Sequence, residues 1–306
     1  MPSIVRSMTA IASTILWAYS GWAAAQLNIV TTLSTFGNLT EAIGGDHVKV
    51  TVIASPKFNP HFIEPKPSDI LKVQKCDLFV HAGLDLEAWR GPLVDASGNP
   101  DVRPGGAKQL DLSTGIPLLE VPDHSVSRSE GDIHLFGNPH YWTSPDNAKI
   151  MAKSIADKLS EMDPANAADY LKNISEFTAQ IDKKIPEWKE MMKPFAGKEI
   201  VGYHNEWPYL MKFLGLKMDK FLEPKPGVPP GPKQTQFLED YMKTNGVKVI
   251  VQSSYFPTKA AEALARDVGG KAILLCQGVG ENNDASDFVR MIDYDVNTLV
   301  QALSGN

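Results

Sequence analysis

Only two cysteines, Cys76 and Cys276, occur in 306 residues, which excludes a disulfide scaffold and a cysteine-rich zinc module. Positive charge is not in excess: 30 Lys and Arg stand against 36 Asp and Glu, so the chain has no overall basic footprint for nucleic acid. Beyond residue 25 no apolar run approaches the roughly 20 residues that a membrane helix needs. What is present is ordinary globular composition, 43% hydrophobic and 22% charged. The length leaves room for two domains.

Residues 1–25 have the three zones of a secretory signal peptide. Arg6 gives a positive start, Met8 to Trp22 form an apolar stretch diluted by Ser, Thr and Gly, and Ala23-Ala24-Ala25 supplies the small residues for cleavage. The apolar stretch is too short and interrupted for a retained anchor, and no cysteine lies near the cleavage point to accept a lipid. Cleavage after about Ala25 is expected, leaving a periplasmic protein that starts near Gln26 and has no stable membrane insertion. Export brings an oxidising compartment. Even so, Cys76 and Cys276 lie 200 positions apart, and two buried free thiols are expected rather than a bridge.

Strand-like runs alternate with helical patterns on both sides of one long amphipathic segment. Leu27–Thr31, Val48–Ile53 and Leu78–His81 read as strands in the first half, and Glu199–Tyr203, Val247–Val251 and Ala272–Leu275 in the second. One helix opens around Pro67 with Ser68 as its expected cap, another at Pro145 with Ser144 as cap. Lys259–Val268 and Ala285–Leu303 read as further helices. After Asp163-Pro164, the face formed by Tyr170, Ile174, Phe177, Ile181, Ile185, Trp188 and Met192 marks a helix on the order of 40 Å long. Pro186 should kink it without ending it. Leu93 to Gly137 reads as an irregular surface excursion and Glu223–Pro232 as an extended loop. The fold class that follows is α/β, two lobes with parallel sheets flanked by helices. The expected division is an N-terminal lobe over 26–162, a linking helix over 163–195 and a C-terminal lobe over 196–306.

Seven histidines are the main source of chemistry. His61 follows a strand and precedes a helix, His140 lies just before the helix start at Ser144, and His204 directly follows a strand. Ligands of open α/β sheets gather at the carboxyl ends of strands, and three neutral imidazoles make a good zinc site with a fourth position for protein or water. Taken singly, a loop histidine is more often a hydrogen-bonded surface residue than a ligand; His47, His81, His124 and His134 are read that way. His134 shares an acidic loop with Asp123, His124, Glu130 and Asp132, for which weak metal capture is the second reading.

The residues around the three histidines carry a resemblance. His61-Phe62-Ile63-Glu64-Pro65-Lys66-Pro67-Ser68-Asp69-Ile70 is followed by Asp77-Leu78-Phe79-Val80, and later come Asn138-Pro139-His140-Tyr141-Trp142-Thr143-Ser144-Pro145-Asp146-Asn147 and Gly202-Tyr203-His204-Asn205 with Gly215-Leu216. These strings, with Ser254 to Gly269, resemble in order the motifs of the zinc/manganese class of substrate-binding proteins of bacterial ABC importers. The resemblance implies lobes joined by one long helix and a metal in the interlobe cleft, with His61 and His140 from the first lobe and His204 from the second. It also implies zinc, since manganese members place a carboxylate at the third position. The chemistry agrees, because imidazole suits zinc and carboxylate oxygen suits manganese. The Asp that the family often supplies after the penultimate strand is absent, and Leu275-Cys276-Gln277-Gly278-Val279-Gly280 occupies its region. Gln277 is the nearest match for a fourth ligand, with Cys276, Glu281 or water as alternatives. Gln252 stands in place of the family's acidic residue after the preceding strand.

The expected function is that of a periplasmic solute-binding protein. It would capture Zn²⁺ as cargo and deliver it to the inner-membrane permease of an ABC importer, acting as a monomer without catalysis. The alternatives are a zinc-dependent hydrolase with Glu64 or Glu206 as general base, and a manganese receptor or adhesin-like interaction protein. No His-Glu-x-x-His string accompanies the histidines.

Overall fold

The computed structural model describes residues 26–123, 134–225 and 227–305; the expected signal peptide lies outside them. In the first half, β1 (Leu27–Thr31), β2 (Val48–Val52), β3 (Leu78–His81) and β4 (Gln109–Asp111) form a parallel sheet in the order β2-β1-β3-β4. In the second half, β5 (Glu199–Gly202), β6 (Lys217–Phe221), β7 (Val249–Gln252) and β8 (Lys271–Leu274) repeat the arrangement as β6-β5-β7-β8.

Parallel neighbours need a crossover, and helices supply it. These are α1 (Ser34–Gly44), α2 (Pro67–Lys75) and α3 (Arg90–Ser97) in the first sheet, and α6 (Pro208–Leu214), α7 (Pro232–Asn245) and α8 (Thr258–Asp267) in the second. In each sheet the chain order reverses beside the first strand, between β1 and β3 and between β5 and β7. Such a reversal opens a crevice at the carboxyl ends of the strands.

Three helices tie the halves together: α4 (Pro145–Met162), α5 (Ala167–Met192) and α9 (Phe288–Leu303). At 26 residues α5 is about 39 Å long, and it continues through Pro186. Its buried residues Tyr170, Phe177, Ile181, Trp188 and Met192 lie on one stripe, which packs on α1 and α4 at one end and on α6 and α9 at the other. Polar ties fix both ends. Asn173 Nδ2 donates to the Ile43 carbonyl at 2.8 Å, and Trp188 Nε1 donates to Asp293 Oδ1 at 2.7 Å. One apolar cluster runs from Ile29 and Leu39 through Ile155 and Ile181 to Trp207 and Leu299, so the two halves share a core.

The structure departs from the sequence reading in several places. The α2 cap is Lys66, not Ser68: Pro67 already holds the first helical position, and the Asp69 carboxylate accepts the Lys66 N–H at 2.9 Å. Ser144 does sit at the start of α4, but its hydroxyl makes no capping bond. The excursion from Leu93 contains most of α3 and the edge strand β4. With three residues, β4 is too short to show a period, and it pairs with β3 through His81↔Asp111. Lys217, Asp219 and Lys220 hid β6, a sheet edge where polar residues are tolerated. Cys76 and Cys276 are both buried and free, as expected. Among the described residues no helix is long and apolar enough to cross a membrane.

Candidate metal site

His61 sits in a short 3₁₀ turn, Pro60–Phe62, after β2. Asn59 Oδ1 accepts the His61 N–H at 3.0 Å, and Trp89 Nε1 donates to the Pro60 carbonyl at 2.8 Å, fixing the turn on the first lobe. His140 is fully buried ahead of α4. Asn138 Oδ1 accepts both its N–H and its Nδ1–H at 3.0 Å, while Asn138 Nδ2 reaches the Asn205 carbonyl across the cleft at 3.0 Å. His204 follows β5, where Gly202 allows a close turn: a Cβ there would lie 3.0 Å from the His204 carbonyl oxygen. Glu223, at the start of the proline-rich loop, accepts from His204 Nδ1 at 2.7 Å.

These three side chains converge. One ligand atom from each of His61, His140 and His204 lies within 4.8 Å of the other two, and the ring centroids are 5.1 to 5.5 Å apart. His61 Nε2 and His140 Nε2 face each other at 3.0 Å. Two nitrogens bound tetrahedrally to zinc stand about 3.3 Å apart, so a cation fits between them with little rearrangement. His204 Nε2 is buried without a hydrogen-bond partner. Burial, with the neighbouring imidazoles, holds the pKa of both His61 and His140 well below the usual histidine value. This favours the neutral ring, the form a metal requires. The donor set fits a borderline divalent cation such as zinc.

The proposed fourth-position residues lie close in sequence but are otherwise engaged. Gln277 Oε1 accepts from the Tyr255 hydroxyl at 2.9 Å, and the Gln277 backbone ties to Trp142 and Glu281. Glu281 receives Ser254 Oγ at 2.6 Å. The Cys276 thiol is pushed up by burial and accepts from Asn282 Nδ2 at 3.1 Å. Neither Cys276 nor Glu281 joins the triad's cluster. Glu206 is buried, bonded to Ser253 at 3.0 Å and to Tyr255, and burial raises its carboxyl pKa well above the usual range. Glu64 lines an open cleft with Lys66 and Asp69.

Two residues beside the triad were not assigned to it from the sequence, although the His134 loop carried weak metal capture as its second reading. Glu223 gave no signal beyond its position in the loop. His134, placed with the surface histidines, stands with its ring centroid 5.1 Å from His61 and 6.0 Å from His140. His124 lies outside the described residues. His47 bonds Asp169 at 2.8 Å, and His81, the last residue of β3, has its pKa lowered to about 4 by burial and the nearby Arg90; neither joins the triad's cluster.

Residues 29–302 match the family described as "ZnuA: Zinc-uptake complex component A periplasmic". The chain belongs to the ZnuA family. It is 28% identical over 265 residues to the high-affinity zinc uptake system protein ZnuA of Bacillus subtilis, spanning 86% of this chain and 82% of that protein. It is 25% identical to the manganese ABC transporter substrate-binding lipoprotein PsaA of Streptococcus mitis, spanning 91% of this chain and 90% of that one. Among solved structures, a crystal structure of ZnuA superposes with a TM-score of 0.76 at 26% identity, covering 90% of this chain and 99% of that chain. The ZnuA-type architecture of two four-stranded parallel sheets and a long helix is the one described above.

Proposed function

We propose that this protein is a zinc receptor: it binds one Zn²⁺ through His61, His140 and His204 and delivers it to the inner-membrane permease of an ABC importer. The observation that carries the reading is the convergence of three imidazoles from both lobes within 4.8 Å. Three nitrogen donors with no carboxylate in the cluster among the described residues favour zinc over manganese, even though relatives named for either metal are similar to this chain. Residues 1–25 are read as its export signal and the working form as a periplasmic monomer.

Release and capture are the task, and no reaction is required. A hydrolase needs a general base beside the metal-bound water. Glu206 is protonation-prone and spoken for by Ser253 and Tyr255, and Glu64 faces a separate cleft. The shared core and the bonds of Asn138 to Asn205 and Trp142 to Gln277 favour loop and side-chain adjustments over wide lobe closure.

The test is a zinc titration of the metal-free protein in the presence of excess manganese at neutral pH. One zinc per chain with an affinity barely moved by manganese is expected. Displacement of zinc by comparable manganese would refute the assignment of cargo.

A further inference from the structure

Three histidines leave one tetrahedral position to fill, and the structure points away from Gln277. We infer that His134 is the fourth zinc ligand, making a site of four imidazoles; the inference rests on the zinc-receptor reading above.

Position is the first argument. The His134 ring centroid lies 5.1 Å from His61, equal to the His61–His140 separation, and 6.0 Å from His140, against 5.5 Å between His140 and His204. His134 lies outside the cluster in which the triad's ligand atoms fall within 4.8 Å of one another, so joining it requires an inward shift of the His134 ring.

Orientation is the second. Metal-binding histidines give their outer N–H to an oxygen, which fixes the tautomer and leaves the inner lone pair for the ion. His140 Nδ1 faces Asn138 Oδ1 at 3.0 Å and His204 Nδ1 faces Glu223 Oε2 at 2.7 Å. His134 has the same device: its Nδ1 faces Asp85 Oδ1 at 2.8 Å, and Asp85 Oδ2 accepts the Leu135 N–H at 2.7 Å, so one carboxylate holds both ring and backbone. The inner nitrogens of His134 and His204 share a further property. Each Nε2 is buried without a hydrogen-bond partner, whereas buried polar atoms are nearly always paired. A cation receiving both lone pairs satisfies them together.

The rivals are worse donors. The Gln277 oxygen already accepts from Tyr255, and the atom it leaves unpartnered is its amide nitrogen, which has no lone pair to give. Cys276 is held as a neutral thiol, and the Glu281 carboxylate receives Ser254 and the Gln277 N–H. Four neutral nitrogens also disfavour manganese more strongly than three nitrogens and a water.

X-ray absorption on the zinc-loaded protein counts imidazoles directly. Four nitrogen ligands with imidazole scattering are expected in the wild type, falling to three plus one oxygen in His134→Ala. Zinc affinity should weaken about 10- to 100-fold, the range for groups that shape a metal site. Gln277→Ala should leave count and affinity unchanged. Three imidazoles plus oxygen in the wild type, or a His134→Ala protein with unaltered count and affinity, overturns the inference while leaving the triad intact. Full zinc affinity in His61→Ala, His140→Ala and His204→Ala overturns instead the reading on which it rests.

Discussion

Acidification should selectively destabilise the metal-free protein through the site itself. His61 and His140 are kept neutral in the fold by burial and by neighbouring imidazoles, whereas the unfolded chain protonates them near the ordinary value of 6.5. Below that value the unfolded state therefore binds protons that the folded state refuses, so acid favours unfolding. A histidine kept neutral over the whole range contributes on the order of 1 kcal/mol between pH 7.5 and 5.5, so the pair contributes up to about 3 kcal/mol. The raw pH profile will not reveal this. His81, held at about 4, acts in the same direction, but Glu87, raised to about 7 by burial, and the buried Glu206 and Asp295 act oppositely, because their folded forms take up protons first. The measurement is therefore a difference: urea unfolding of metal-free wild type and of His61→Gln/His140→Gln at both pH values. The wild type should lose up to about 3 kcal/mol relative to the variant on acidification. A difference that stays constant with pH would show that the two imidazoles titrate normally in the fold and refute the reasoning.

Glu223→Gln removes the charged acceptor that orients His204 and should weaken zinc binding about 10- to 100-fold by chelator competition with little change in unfolding midpoint; an unchanged affinity contradicts the orienting role. Trp188→Ala empties a buried site on α5 and breaks the bond to Asp293, for an expected cost of about 3–5 kcal/mol in denaturant unfolding. A loss below about 1 kcal/mol would mean that α5 is not a pillar of the shared core. Both cysteines are buried, and burial raises both thiols, Cys76 to about 11. A thiol reagent at pH 8 should find neither in the native protein and both after denaturation; rapid native labelling of either contradicts this burial.

Much of this molecule is legible in its residues, for physical reasons. Leu78–His81 coincides with β3 because a central strand covered on both faces must be apolar throughout. The long helix is legible because Tyr170, Phe177, Ile181 and Trp188 repeat at helical spacing over many turns. His61, His140 and His204 could be picked out because His204 follows a strand and His61 and His140 precede helix starts, and the motifs around them raised that reading further. What escaped has no local signature. β4 and β6 are short or polar edge strands. Lys66 displaced Ser68 as the α2 cap because the helix begins at Pro67, two residues earlier than a Ser68 cap would set it. His134, flagged only through its acidic loop, and Glu223 are placed beside the triad by contacts 49 and 19 residues away, with Asp85 and His204, and no periodicity encodes such distances.

The central claim is that His61, His140 and His204 hold one zinc ion in the cleft. Its most direct test is a zinc titration of the metal-free wild type beside His61→Ala, His140→Ala and His204→Ala, with folding verified by circular dichroism. One zinc per wild-type chain and a large loss of affinity in every variant are predicted. Wild-type affinity in any folded variant would contradict the site.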